Sequence, residues 1–164
     1  MKQSIMFLIT FLTLPYSKVK FLLSETPGKS YDHFPESLSG LYHSELDWDL
    51  RLINDQIRFE NQKLGLRIEE NLSNELRLKK FSGFYILERV EDDLSTLTVL
   101  RTNLLGNLEL MLNSQEISEA LNTSSFWARS KRDNSVVIKA DHNTLSSLIF
   151  NDFFSNKLVL SKVA

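Results

Sequence analysis

The stretch of residues 81–112 constrains the fold most, because apolar and polar residues alternate along much of it. It contains three strand-like runs separated by two short polar turns, in the sequence FSGFYILERVEDDLSTLTVLRTNLLGNLELML. Alternation with a period of two is typical of a sheet with one face on a core and the other in water. Strands joined by short turns are antiparallel neighbours. The pattern therefore predicts a β-meander in the middle of the chain.

Similar runs extend the meander towards the N-terminus. The predicted strands are residues 40–46, 48–53, 56–60, 64–69, 75–79, 84–90, 96–101 and 107–112. Asn54-Asp55 separates two of them, and both residue types tolerate the positive φ of a tight turn. A meander of this length curls into a small barrel or folds into a sandwich. The side chains predicted to face inward are Leu76/Leu78, Phe84/Ile86 and Leu108/Leu110.

The last third of the chain changes period and predicts two short helices. The first would begin at the capping box Asn113–Glu116 and place Ile117, Ala120 and Leu121 on one face. The second would be capped by Asp141 or Asn143, with an apolar face of Leu145, Leu148 and Ile149. Residues 136–138 and 157–162 read as strands. The fold class is therefore mainly β, with two short helices in the C-terminal third, and residues 145–163 are expected to be structural.

The N-terminus carries a predicted targeting segment. Lys2 precedes the apolar run of residues 5–14, and Pro15 then ends it. Ten residues are too few to span a bilayer, but charge, apolar run and breaker in this order are typical of a secretory signal peptide. Cleavage would fall after Ser17 or Ser24, and an uncleaved anchor is the other outcome. The alternative is a buried N-terminal helix or strand of a cytosolic protein.

The predicted organisation follows from that leader. Residues 1–24 form a signal peptide or hydrophobic leader, residues 25–36 with Pro27, Gly28 and Pro35 form a linker, and residues 37–164 form one β-rich domain. Removal of residues 1–24 would take away Lys2, Lys18 and Lys20, which leaves 16 cations against 21 anions. We expect an exported protein, periplasmic or associated with the cell envelope, that touches a membrane only through an uncleaved leader.

Composition narrows the chemistry. The chain has no cysteine, which removes disulfides, thiolate catalysis and Cys-ligated zinc. Its net charge is −2, and its most basic run, ARSKRD at residues 128–133, reads as a solvated loop rather than a nucleic-acid site. No Gly-x-Ser-x-Gly, Gly-x-Gly-x-x-Gly or Walker pattern occurs in the sequence. We therefore predict a protein that is not an enzyme and has no cofactor and no nucleic-acid partner.

No titratable residues are spaced like a site. His33, His43 and His142 lie far apart in the sequence, and each reads as a surface or capping histidine. The acidic group around Trp48 lacks the spacing and the central glycine of an EF-hand loop, and consists of Glu45, Asp47, Asp49 and Asp55. Two weak N-glycosylation triplets occur at residues 71–73 and 122–124. No catalytic, metal or cofactor-binding residue is predicted, and ligand-binding residues are unassigned.

Aromatic residues are concentrated in the predicted sheet: Phe34, Tyr42, Trp48, Phe59, Phe81, Phe84 and Tyr85. Core filling explains most of them. A barrel of about eight strands is either filled by such side chains or holds one small ligand. The sequence leaves both alternatives open.

Two resemblances accompany this pattern. Gly40-Leu41-Tyr42 near the start of the meander resembles the Gly-x-Trp opening of lipocalin-like barrels, with Tyr42 in place of Trp. Residues 36–164 resemble small bacterial envelope proteins of unknown function, often lipoproteins. In those proteins a leader precedes a Gly-x-Tyr strand, a meander and a strand-helix-strand tail, here residues 136–140, 145–150 and 158–163. The missing cysteine departs from the lipoprotein pattern and excludes lipid anchoring through a cysteine.

Two classes of function follow. The first is a non-catalytic module that binds a small apolar ligand or lipid inside the barrel. The alternative is a protein–protein interaction or structural module of the cell envelope, which docks a partner through a sheet edge or an apolar surface. An open apolar interior would favour the first class, and a filled interior with an exposed apolar patch would favour the second.

Overall fold

The computed structural model describes residues 19–22, 27–113, 127–129, 136–139 and 141–163. These residues form thirteen strands of one largely antiparallel sheet and a single helix. The strands are β1 (Val19–Leu22), β2 (Lys29–Tyr31), β3 (Gly40–His43), β4 (Asp49–Ile53), β5 (Gln56–Asn61), β6 (Leu66–Asn71), β7 (Leu76–Phe81), β8 (Phe84–Glu91), β9 (Leu94–Thr102), β10 (Leu108–Leu112), β11 (Trp127–Arg129), β12 (Val136–Ile138) and β13 (Asn156–Lys162). The helix α1 is His142–Phe150.

The predicted meander is confirmed, and it curls into a half-barrel. Strands β3 to β6 pair in sequence order, and so do β7 to β10. Strand β13 joins the two series, because Leu158 and Leu160 pair with β10 while Ser161 and Lys162 pair with β3. Strand β6 pairs with β5, and no described strand occupies its other edge. Among the described strands the half-barrel therefore has an open seam between β6 and the β2–β7 pair, where the Arg89 guanidinium on β8 binds the Glu70 carboxylate on β6.

Tight turns fix the register of the meander. Asn54 has a φ of 53°, as its place in the predicted turn requires, and Asp92 takes a φ of 54° between β8 and β9. Gly106, with a φ of 79°, closes the turn between β9 and β10. These short turns bring successive strands into antiparallel contact, as the sequence predicts.

Strand β9 lies at the branch point of the sheet. One edge pairs along its length with β8, and the other edge is shared by β10 and by β1. Strand β1 in turn pairs in parallel with β12. Val19–Leu22 thus belongs to the sheet, although residues 1–24 were expected to stand apart from it as a leader. Lys29–Tyr31, within the expected linker of residues 25–36, forms the short strand β2 on β7.

Apolar side chains fill the concave side of the half-barrel. We call this cluster the inner core: Phe34, Leu38, Tyr42, Trp48, Leu50, Leu52, Ile57, Phe59, Leu76, Leu78, Leu87, Leu100, Leu108, Leu110, Leu112, Leu158 and Leu160. It draws on both series of strands, so it holds the two halves of the meander together. Of the seven aromatics noted in the sequence, four lie here, as core filling predicts.

A second cluster covers the opposite side of strands β7–β10, which we call the wall of the sheet. This outer core contains Val19, Phe21, Phe81, Ile86, Leu97, Val99, Met111, Val136, Ile138, Leu145, Leu148, Phe153 and Phe154. Ile86, with Phe84 packed against the same cluster, faces the outer core, whereas Leu76, Leu78, Leu108 and Leu110 face the inner core. The prediction that all three pairs point to one interior is therefore wrong for Phe84/Ile86. The reason is that this wall of the sheet is buried on both faces.

Helix α1 contributes Leu145 and Leu148 to the outer core. Asp141 is its N-cap, and its Oδ1 accepts a hydrogen bond from the Thr144 backbone N–H at 2.8 Å. That backbone hydrogen bond lowers the pKa of Asp141, which is the normal effect of a cap on its carboxylate. The described residues contain this one helix rather than two, and residues 114–121 of the other predicted helix lie outside them.

Candidate functional site

The side chains of the inner core are buried on the concave side of the half-barrel. Tyr42, Phe59, Leu50, Leu78 and Leu108 are among its largest members, and none is more than 2% exposed. The Tyr42 hydroxyl donates a hydrogen bond to the Leu38 carbonyl at 2.7 Å, and burial raises the pKa of Tyr42. The tyrosine of the Gly-x-Tyr strand is thus a buried, hydrogen-bonded core residue.

Two cavities bordered by described residues lie at the surface and have largely polar linings. One, of about 820 Å³, opens at the end of β2 and the turn between β6 and β7, and is lined by Ser30, Tyr31, Asp32, Leu72, Ser73, Asn74 and Arg77. The other, of about 340 Å³, is lined by His43, Ser44, Glu45, Leu46, Asn107, Leu158, Val159 and Ser161. Ligand sites for apolar molecules are mostly lined by hydrophobic side chains. Neither cavity has that composition.

The three histidines lie at separate places in the structure. His33 contacts its neighbour Asp32 on the surface, and His43 Nδ1 lies 2.7 Å from Asp49 Oδ1 at another exposed position. His142, in the first turn of α1, packs edge-on against Phe81 with ring centroids 4.9 Å apart. A histidine that acts in catalysis needs a nucleophile or substrate within hydrogen-bond reach. Among the described residues, no serine, threonine or tyrosine hydroxyl is hydrogen-bonded to any of the three histidines.

The acidic group around Trp48 is dispersed by the strands. Asp49 faces His43, Asp47 binds Lys63 at 2.6 Å, and Asp55 accepts a hydrogen bond from Asn71. Trp48 itself packs on Phe59 in the inner core, with ring centroids 5.2 Å apart. Among the residues that the structure describes, no three His, Asp or Glu side chains are placed to hold a metal ion.

The basic run and the sequons are only partly described. Ala128 and Arg129 lie in β11, whereas residues 130–135 and the second sequon at 122–124 lie outside the described residues. In the first sequon, the Asn71 side-chain amide donates to Asp55 Oδ2 at 3.0 Å.

Two buried carboxylates, Glu88 and Glu109, lie on the convex side of the wall and are paired with cations. Lys79 Nζ is 2.9 Å from Glu88 Oε2, and Ser95 Oγ donates to Glu88 Oε1 at 3.0 Å. Glu109 on β10 lies between Arg101 and Lys157. Burial acts to raise the pKa of Glu109, but the hydrogen bonds and charges of Arg101 and Lys157 outweigh it, and the pKa is lowered. Each carboxylate is paired with a cation, so these clusters stabilise the sheet and offer no unpaired acid or base.

The turn between β9 and β10 carries an exposed pair of leucines. Asn103 and Gly106 build this turn: Asn103 Oδ1 accepts hydrogen bonds from the backbone N–H groups of Leu105 at 2.9 Å and Asn107 at 3.1 Å. Leu104 is fully exposed and Leu105 is 84% exposed. Neither leucine is needed to form the turn or the core. This turn therefore presents two adjacent exposed apolar side chains to solvent, a small apolar patch of the kind considered when interaction sites are sought.

A second exposed apolar group lies on the edge strand β6. Leu64 in the preceding turn is 59% exposed and Leu66 is 48% exposed. Arg67 and Glu69 flank Ile68 on this strand, and Glu69 also accepts a hydrogen bond from Arg58 on β5 at 2.9 Å. The hydrogen bond that Arg67 donates to Glu69 lowers the pKa of Glu69 and raises the pKa of Arg67. Both side chains are therefore charged at neutral pH.

Sequence reasoning missed both surfaces. The NLLGN segment was interpreted only as a turn, although two leucines between turn-forming Asn and Gly residues are an anomaly that the sequence displays. Strand β6 was predicted, but its place at an open edge depends on the unpaired seam, which no local pattern reveals.

Comparisons with known proteins give no family for this chain. No protein-family model, no curated protein and no solved structure matches it significantly. The described residues contain no helix with the length and apolar character that crossing a bilayer requires.

Proposed function

We propose that this chain is a non-catalytic interaction module that docks a protein partner through the turn between β9 and β10. The observation that carries the proposal is the pair Leu104 and Leu105, fully and 84% exposed on a turn whose geometry depends on Asn103 and Gly106. Burying a leucine side chain contributes about 1.5–3 kcal/mol. A partner with an apolar pocket would therefore gain several kcal/mol from this one turn.

The rigidity of the turn supports the same function. The Asn103 N–H donates to the Asn107 carbonyl at 2.9 Å, and the adjoining strands β9 and β10 lie in the doubly covered wall. A binding group held on a rigid element loses little conformational entropy when it docks. The turn thus presents its leucines at little additional cost.

A small apolar ligand or lipid inside the barrel is the competing candidate. Such ligands occupy cavities of about 300–1,000 Å³ with mostly hydrophobic linings. The side chains of the inner core are buried on the concave side, and the two surface cavities described above have linings more polar than apolar. This contrast favours docking over ligand storage.

Site-specific photo-crosslinking in the cell of origin tests the proposal. A benzophenone amino acid replaces Leu104 in one variant and Asp93 in a matched control, since Asp93 is exposed on the turn between β8 and β9, at the opposite end of β9. We expect a discrete protein adduct from position 104 that is absent from position 93 and is lost when Leu105→Ser is added.

Other outcomes would overturn the proposal. Adducts of equal yield from both positions would show non-specific contact, and a lipid adduct at 104 would favour a membrane-inserting turn. A lipid that co-purifies with the chain in stoichiometric amount, detected by native mass spectrometry, would favour the ligand-binding candidate. Unchanged thermal unfolding of Leu105→Ser would exclude misfolding as the cause of a lost adduct.

Export to the cell envelope remains part of the proposal. A mature form cut after Ser24 would lack β1, whereas a cut after Ser17 would retain it, so we favour the earlier site or an uncleaved leader. Intact-mass measurement of the protein recovered from the envelope distinguishes these forms. Recovery of the full-length chain from the soluble cytosol would contradict export.

A further inference from the structure

The open edge of β6 presents main-chain groups of known orientation. The Leu72 N–H donates to the Asp55 carbonyl at 2.7 Å, which continues the β5–β6 register in which Gln56 faces Asn71. Hydrogen-bonded pairs alternate along an antiparallel ladder. The groups of Leu66, Ile68 and Glu70 therefore bond to β5, and those of Arg67, Glu69 and Asn71 point to the open edge.

The charges on that edge are complementary to themselves. Arg67 and Glu69 lie symmetrically about Ile68. If a second β6 strand pairs antiparallel with Ile68 opposite Ile68, each Arg67 lies opposite the Glu69 of the other copy. The same register places the outward main-chain groups of Arg67 and Glu69 in hydrogen-bonded pairs. The side-chain charges and the main-chain hydrogen bonds therefore favour the same alignment.

Neighbouring registers lack either the main-chain hydrogen bonds or the favourable charge pairs. A two-fold axis at Glu69 or at Arg67 preserves the hydrogen bonds but places like charges opposite each other, which is destabilising. A shift by a single residue would set the outward groups of one strand against inward groups of the other. Of these registers, the Ile68-centred one satisfies both conditions.

We infer that two copies of this chain associate edge to edge through β6, about a two-fold axis at Ile68. Half-buried Ile68 lies on the face of the strand that faces the inner core, and the register sets it directly opposite Ile68 of the other copy. Exposed Leu66 lies opposite Glu70, which is ion-paired with Arg89 of its own chain. A two-fold pairing of this kind is isologous, with the same surface used by both copies. The inference rests on β6 alone and is independent of the partner proposed for the turn between β9 and β10.

The affinity should be low. Two six-residue strands bury less than the roughly 1,200 Å² of a stable interface, so association is expected only at high protein concentration. Sedimentation velocity from about 10 μM to about 1 mM covers dissociation constants in this weak range. The parent chain is expected to shift from monomer to dimer across it.

Charge reversal provides the decisive test. Arg67→Glu places Glu opposite Glu69 in a homodimer, and Glu69→Arg places Arg opposite Arg67, so each variant alone should remain monomeric. Mixed together, they restore two opposite-charge pairs, and the mixture should dimerise at least as strongly as the parent. Arg51→Glu is the matched control, since Arg51 is exposed on β4 away from the edge, and it should dimerise like the parent.

A backbone variant gives a second measurement. Glu69→Pro removes an outward N–H while leaving the ladder to β5 intact, because proline is tolerated where the N–H faces solvent on an edge strand. It should abolish the dimer and keep the circular dichroism spectrum of the parent. A parent that is monomeric at every concentration would overturn the inference, and so would single-charge variants that dimerise or a mixture that stays monomeric. These results would leave the cross-linking test of the β9–β10 turn unaffected.

Discussion

Strands β10 and β6 have similar alternating sequences but opposite environments. All five residues of β10 are buried, whereas none of the six residues of β6 is. Strand β10 has the inner core on one face and the outer core on the other, and both of its edges are paired. Strand β6 has one paired edge and incomplete cover. The comparison teaches that alternation identifies a strand, while the neighbours on its faces and edges decide whether it stabilises the fold or remains available for recognition.

The outer core offers the largest test of this contrast. Phe153 is 7% exposed and packs on Phe154 with ring centroids 5.3 Å apart, whereas Phe150 in the same segment is 68% exposed. Phe153→Ala should reduce the free energy of unfolding by about 3–5 kcal/mol, the range for emptying a packed aromatic site. Phe150→Ala, the matched control, should cost under about 1 kcal/mol. Chemical denaturation measures both, and a loss at Phe153→Ala as small as that expected for Phe150→Ala would show that the segment is a peripheral arm.

Two leucines, one on β7 and one on β6, allow a second comparison between the wall and the open edge. Leu78 on β7 is fully buried in the inner core, and Leu66 on β6 is 48% exposed. Leu78→Ala should cost about 2–5 kcal/mol because it leaves a cavity between the two halves of the meander. Leu66→Ala should cost about 0.5 kcal/mol or less. If thermal unfolding showed comparable losses, β6 would be as well covered as the wall, and an edge available for pairing would be excluded.

The smallest expected effect concerns pH. The pKa of Glu109 is lowered in the folded protein, so its charge stabilises the fold above the unfolded pKa of about 4.3. That contribution is lost as the pH falls through the lower folded pKa. Glu109→Gln should therefore cost about 1 kcal/mol at neutral pH, and progressively less as the pH falls below about 4.

Urea unfolding at about pH 7 and about pH 3 checks this expectation, since the carboxyl becomes protonated across that interval. Glu36→Gln, at an exposed position, is the control and should change little at either pH. A penalty at Glu109 that persists unchanged at low pH would show that packing, not charge, holds Arg101 and Lys157 in place.

The local features of this fold were predictable, and the non-local ones were not. The period-two runs gave the meander, Asn54-Asp55 gave a turn, and Asp141 gave the cap of α1, because each depends on a few neighbouring residues. The two-sided burial of β8 depends on α1 and β1, which are distant in sequence. Val19–Leu22 resembled part of a leader because a buried strand and the end of a targeting segment share the same apolar composition.

The candidate surfaces show the same limit. Leu104 and Leu105 could have been noticed as apolar residues in a polar turn, but their exposure required the turn geometry. The self-complementary order of Arg67, Ile68 and Glu69 is visible in the sequence. Its meaning depends on β6 having an open edge, which follows only from the pairing of β13 with both β10 and β3.

That pairing has a consequence for how the molecule assembles as it is synthesised. The strands of the two meander series leave the ribosome tens of residues before β13, which alone among the described strands bonds to both β3 and β10. At about 5–20 residues synthesised per second, several seconds pass before β13 can join the two series of strands. During that time the leucines of the inner core remain accessible. Chaperone engagement should end only when residues 156–162 are available, so chains tethered to the ribosome by a C-terminal linker should differ sharply in protease resistance according to whether they include these residues.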